Sequence, residues 1–179
     1  TLVLYEGFRP YDTQVTVANA LEALAAENET VRAGIDTEPW SIGWFIAGGV
    51  SNHQQGYAVD VSLARVIATS AETCGPYAYT RVTRYEELAM PTAMHELSAA
   101  AASLAEPVAS RDPDAWRQAD PAPAMTEGAL LLQSYCTAAG LTPLASEWWH
   151  FNDLDRLAVV DSSWRGEFAL AENVSRAPE

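Results

Sequence analysis

Two short segments constrain this chain more than anything else in it: Ser51-Asn52-His53-Gln54-Gln55-Gly56-Tyr57-Ala58-Val59-Asp60 and, far downstream, Glu147-Trp148-Trp149-His150. Together they carry two imidazoles and two carboxylates in strongly apolar surroundings. That is the donor set of an open zinc site with a general base beside it. A fold that uses it must bring the two segments within metal-ligand reach of each other.

A catalytic zinc takes three protein ligands from His, Asp, Glu and Cys, and keeps a fourth position for the water that it acidifies. His53, Asp60 and His150 meet that count. The seven-residue spacing from His53 to Asp60 is too long for neighbours on a helical face, but a loop running into a strand can turn both onto one ion. Gly56 supplies the turn. Glu147 precedes His150 by three residues, so in a strand-to-turn segment it can stand beside the metal as general base without ligating it. Singly, these residues have ordinary explanations: a surface-loop histidine, a capping aspartate, a histidine satisfied beside aromatics. The conjunction argues otherwise, because the chain has only three histidines and two fall in the acid-bearing segments.

At 179 residues and 49% hydrophobic composition the chain can bury one substantial core, and its length favours a single domain over 1–179. A formal charge of −14 and a pI near 4.4 argue against nucleic acid as a partner, since that binding depends on Lys and Arg at phosphates. Cys74 and Cys136 are too few for a cysteine-rich zinc module. They pair if the domain is exported, or stay as small buried hydrophobes; the sequence leaves both open. No run approaches the roughly 20 apolar residues that span a bilayer, and no signal-peptide pattern is present. Opening on Thr1 suggests a processed or trimmed start, so any membrane link is expected only through an upstream anchor.

Along the chain, residues 1–8 read as a short buried strand, broken by Arg9-Pro10-Tyr11-Asp12 before a helix over 13–32 with Val17, Leu21, Leu24 and Val31 on its apolar face. Residues 42–47 and 57–63 read as strands, placing His53 in a loop and Asp60 in a strand. Residues 68–91 and 107–123 read as long surface connections. The Ala-rich stretch 98–105 reads as helix. A second helix spans 125–139 and ends at Gly140, 148–151 and 163–170 are the last strand candidates, and a tail over 172–179 is expected to fray.

The two opening segments resemble the S-x-H-x-x-G-x-A-x-D and E-x-W-H motifs of the D-Ala-D-Ala metallopeptidases. That group includes the D-Ala-D-Ala carboxypeptidases and dipeptidases of vancomycin resistance and is similar in fold to the hedgehog signalling domain. Every fixed position of both motifs is filled, and Glu6-Gly7-Phe8-Arg9-Pro10 extends the resemblance toward the start. The resemblance implies an α+β fold with a central antiparallel sheet flanked by helices, where periodicity alone says only mixed α and β. It implies Zn²⁺ held by His53, Asp60 and His150, with Glu147 as catalytic base in the attack of a zinc-bound water. Arg9 would polarise the scissile carbonyl and stabilise the oxyanion.

Gly7-Phe8-Arg9 followed by Gln14, and Gln54 after His53, is similar to the carboxypeptidase branch; Glu147-Trp148-Trp149-His150-Phe151 looks more like the dipeptidase branch. Met90-Pro91-Thr92-Ala93-Met94-His95 stands where dipeptidases carry an Asp for the substrate's free amino group, and His95 in its place favours a longer peptide stem. Ser51, Gln54, Gln14, His95 and Trp149 are the expected substrate contacts. The expectation is an extracellular or cell-wall-associated zinc carboxypeptidase that trims D-Ala from peptidoglycan stem peptides. The alternatives are a D-Ala-D-Ala dipeptidase and a non-catalytic, zinc-containing cell-wall binding domain.

Overall fold

The computed structural model describes residues 1–159. Strand β1 (Leu2–Glu6) leads through Arg9 and Pro10 into helix α1 (Tyr11–Glu27), with Pro10 at the N-cap, where its missing N–H costs nothing. The helix expected over 13–32 is two helices. Asn28 leaves the helical region, at φ −125 and ψ 108, and its side chain accepts from the Thr30 and Val31 N–H groups at 3.0 and 3.2 Å to open α2 (Glu29–Ile35). An asparagine side chain satisfies the free amides of a helix start better than it fits a helix interior. The buried stripe of α1 is also one row over from the expected face. It runs through Gln14 and Ala18 to the half-buried Leu21 and Ala25, while Val17 and Leu24 are 40% and 49% exposed.

Residues 42–47, expected as a strand, instead hold one turn of helix, α3 (Ile42–Phe45). So short an apolar run has no period to choose between the two. Tertiary packing chooses: Phe45 and Trp40, with the half-buried Ile42 and Trp44, join a cluster with Ile35, Ala102, Leu104 and Ala122.

β2 (Ala58–Cys74) starts near the expected strand and then runs on far beyond it. The expected connection over 68–91 is therefore a correction: it is the outer half of β2, a turn at Gly75-Pro76 and strand β3 (Tyr77–Glu87), paired in antiparallel register from Ala64↔Glu87 to Cys74↔Tyr77. Gly75 has φ +56 and the proline that follows is restricted to negative φ, the combination of a type II′ hairpin. This hairpin is largely exposed on both faces, so it lacks hydrophobic alternation. Its strand signal lies in its β-branched and aromatic residues, among them Val66, Thr69, Tyr79, Val82 and Tyr85.

The Ala-rich stretch 98–105 is not a helix beyond a 3₁₀ turn at Ala99–Ala101. Its continuation is held extended by bonds to a remote segment, the Ser103 and Leu104 N–H groups both donating to Ala145 O. The second helix, α4 (Glu127–Ala138), is capped by Thr126 Oγ1, which accepts from the Ala129 N–H at 3.1 Å. β4 (Thr142–Leu144), β5 (Glu147–Asn152) and α5 (Leu154–Val159) follow. The strand expected over 163–170 and the tail from 172 lie outside the described residues. Cys74 is exposed at the hairpin and Cys136 buried on α4, both as free thiols.

The result is a mixed α/β fold with a five-stranded antiparallel sheet and several helices, in strand order β1-β2-β5-β4 with β3 on the outer half of β2. The inner half of β2 has partners on both edges, β1 along residues 60–63 and β5 along 58–60. One row of that register sets Glu6, Asp60 and His150 side by side across three strands. On one face Val61 and Leu63 pack with Ala129, Leu132 and Cys136 of α4, in a core cluster that also takes in Trp148, Trp149 and Phe151 of β5. Because side chains alternate along a strand, Asp60 and Ser62 face the other way. Among the described residues, no helix is long and apolar enough to cross a membrane.

Candidate metal centre

His53 is set by a tight turn before β2. Gln55 N–H donates to Ser51 O at 3.1 Å and Gly56 N–H to His53 O at 3.2 Å, with Gly56 at φ +75, a conformation that glycine reaches without Cβ strain. The turn buries the imidazole to 2% exposure and aims it at Asp60. Asp60 and His150 arrive by strand register. His53 Nε2, His150 Nδ1 and Asp60 Oδ1 then form a triangle with sides of 3.1, 3.2 and 3.2 Å. Three ligands at the bond lengths of a tetrahedral zinc stand about 3.3 Å apart, so these atoms are nearly at metal-binding separation.

The second nitrogen of each ring fixes its tautomer. His53 Nδ1 lies 2.8 Å from Gly7 O and donates to it; His150 Nε2 lies 3.0 Å from Asn152 Oδ1 and donates there. Metal-ligating histidines are oriented in the same manner. The inward nitrogens are left with lone pairs, facing Asp60 Oδ1, which is buried and accepts no hydrogen bond of good geometry although both rings stand at 3.2 Å. Such an electron-rich pocket suits a cation. The same crowding of negative charge shows at His150: burial lowers its pKa, but the closeness of Asp60 and Glu147 and their charges raise it to about 10. For Asp60, burial acts to raise the pKa, and the close approach of His150 and His53 and the hydrogen bond from His95 outweigh it, holding the carboxyl well below the usual range.

Around this triad the expected site residues fall into distinct places. Glu147 is 7% exposed, with Oε2 3.4 Å from His150 Nδ1. Arg9 lies on the other side, where Nε donates to Glu6 at 3.0 Å, Nη2 pairs with Glu6 and stands 3.7 Å from Asp60 Oδ2, and Nη1 donates to Gln14 Oε1 at 2.7 Å. Three of its five N–H groups are thus engaged. Gln14 is fully buried and bonded at both ends of its amide, its Nε2 donating to Ala47 O at 2.6 Å, so it positions Arg9. Ser51 lines the cleft of about 220 Å³ that also holds Arg9, His53, Glu147 and His150, and its hydroxyl accepts from the Gln54 N–H at 3.2 Å. Gln54 itself is buried and does not line that cleft.

A second cleft, of about 280 Å³, shares Arg9, Phe45, Ile46 and Glu147 with the first and adds Glu6, His95 and Trp149. Here His95 Nε2 donates to Asp60 Oδ2 at 3.0 Å, with its backbone at φ +61. That left-handed conformation costs a non-glycine residue on the order of 1 kcal/mol. The hydrogen bond to Asp60 raises the His95 pKa against the opposing effect of burial. Trp149 is 1% exposed and meets His95 edge-on at 5.8 Å.

Sequence reasoning missed the partners that hold the ligands: Gly7 O, Asn152, the Asn52 amide that donates to Asn152 Oδ1 at 2.9 Å, and Glu6 as the counter-charge of Arg9. Only Asn152 left a signal, standing two residues after His150 on the same strand face. Comparison with protein-family models, with curated proteins and with solved structures gives no match for this chain, so what the centre does rests on its own residues.

Proposed function

We propose that the protein is a zinc-dependent D-alanyl-D-alanine carboxypeptidase of the D-Ala-D-Ala metallopeptidase type, with the hedgehog-like fold of that group. It acts outside the cell or at its wall and removes the terminal D-Ala of peptidoglycan stem peptides. The observation that carries this reading is the buried triangle of His53 Nε2, His150 Nδ1 and Asp60 Oδ1 with a second carboxylate, Glu147, 3.4 Å from one of its corners. A closed structural site would take that carboxylate as its fourth ligand, whereas here it lines a cleft of about 220 Å³ together with His53, His150 and Arg9, which gives room for water and substrate beside the ion.

When bound, zinc supplies Lewis-acid chemistry, lowering the pKa of water to roughly 7 and polarising a carbonyl. The chain's own residues do the rest. His53, Asp60 and His150 bind the ion, with Gly7 O and Asn152 holding the rings in the ligating tautomer. Glu147 accepts the proton of the attacking water and returns it to the leaving amine. Arg9, with two N–H groups beyond those given to Glu6 and Gln14, donates to the carbonyl oxygen as negative charge develops there. Gln14 and Glu6 keep the guanidinium from swinging away.

The test is turnover of a muramyl pentapeptide and of free D-Ala-D-Ala, with and without chelator, by the unaltered protein and by Glu147→Ala. The expected result is chelator-sensitive release of D-Ala from the pentapeptide, with Glu147→Ala losing about 10²- to 10⁴-fold in rate while still binding zinc. Faster cleavage of the free dipeptide would move the reading to a dipeptidase, and zinc binding without any turnover would end the enzymatic claim.

A further inference from the structure

We propose, resting on the zinc reading above, that His95 is a positioning residue for the ligand Asp60, holding Oδ2 by a hydrogen bond so that Oδ1 alone faces the ion. The two oxygens of this carboxylate have separate surroundings. Oδ1 stands 3.2 Å from both inward histidine nitrogens, whereas Oδ2 receives His95 Nε2–H at 3.0 Å and lies 3.7 Å from Arg9 Nη2. A carboxylate free at both oxygens can rock toward two-point ligation and crowd the position that water needs. The His95 bond to Oδ2 opposes that rotation, as hydrogen bonds to ligating side chains generally do.

His95 is built to stay in place. Its ring packs edge-on against Tyr5 of β1 at 6.5 Å and against Trp149 of β5 at 5.8 Å, so it bridges the two strands that flank Asp60. Its backbone adopts φ +61, and residues with a side chain enter that region only where the surroundings require it. Glu6, Asp60 and His95 also lie close enough to suggest a second metal position. Glu6 is already neutralised by Arg9, however, and a second cation would sit against the guanidinium. The Asp60–His95 contact is therefore a bond from donor to acceptor, not half of a second ligand set.

The experiment measures zinc affinity by chelator competition and the visible spectrum of the cobalt-loaded protein for the unaltered chain, His95→Ala, His95→Asn and His95→Gln, with melting curves to establish folding. Asparagine tolerates the left-handed backbone but is too short to reach Asp60, whereas glutamine can place an N–H near the position of Nε2. The expected result is zinc affinity weakened about 10- to 100-fold in Ala and Asn, with a cobalt spectrum shifted toward higher coordination, and recovery of most of the loss in Gln. Affinity and spectrum unchanged in Ala and Asn overturn the proposal, and so does a loss as large in Gln as in Ala. An unaltered protein that binds zinc but cleaves no peptide overturns the carboxypeptidase reading alone; one that binds no zinc overturns both.

Discussion

The two halves of β2 are one strand in two environments. Residues 58–63 have β1 on one edge and β5 on the other, a helix over one face and the candidate metal centre on the other. Residues 64–74 are paired with β3 and are largely exposed on both faces. Strand-forming residues occur throughout, so propensity does not separate the halves; the number of neighbours does. Where neighbours press from every side, a carboxylate such as Asp60 is retained only with partners, and four groups supply them: His53, His95, His150 and Arg9. Where they do not, polar and aromatic residues face water and carry little energy.

The sharpest way to break this contrast is Asp60→Ala, which removes the group on which those four converge. Zinc binding should be lost and turnover should fall to background, a drop of about 10³-fold or more if the metal supplies the reactive water; activity within tenfold of the unaltered protein would remove Asp60 from the centre. Next in size is the core behind the inner half. Leu132→Ala, at a fully buried position, should cost about 2–5 kcal/mol in denaturant unfolding, whereas Tyr79→Ala on the hairpin, 47% exposed, should stay within about 0.5 kcal/mol. Comparable losses for the two would erase the distinction.

Metal addition sharpens the same comparison. Zinc at ~100 times its Kd should stabilise the chain by about 2.7 kcal/mol, raising Tm by about 5–10 °C, and the gain should vanish in Asp60→Ala but survive in Tyr79→Ala. The smallest expected effect lies at the junction of the halves. Tyr5 of β1 donates to Glu87 of β3 at 2.6 Å, and this bond to a carboxylate pushes the phenol up to about 12. The neutral phenol is the form the folded protein favours, so the tie is fully present below pH 10 and is lost as pH rises through 12. A difference titration against Tyr5→Phe should show one phenol ionising late; a missing tyrosine that ionises near pH 10 would remove the tie.

Much of the centre was legible because its chemistry needs particular residue types. Histidine is rare in this chain, so two of three histidines beside acids stand out before any fold is known. The hairpin was illegible for the opposite reason, since a strand pair exposed on both faces has no hydrophobic period to read. The break at Asn28 and the helical turn at 42–45 were missed where a local pattern was ambiguous and a cap or a packing cluster decided it. Glu6, Gly7 and Asn152 were not singled out because their roles depend on where β1 and β5 lie relative to β2.

By itself the sequence determined the donors, the turn at Gly56 that lets His53 reach back over β2, and the strand that carries Asp60. Only the tertiary structure decided that Oδ1 and Oδ2 of Asp60 face different partners, that Arg9 is already bound to Glu6 and Gln14, and that His95 reaches the centre from a separate loop. Residue identity sets which atoms can donate or accept. Their separations, on which ligation and proton transfer depend, are fixed by register across strands far apart in the chain.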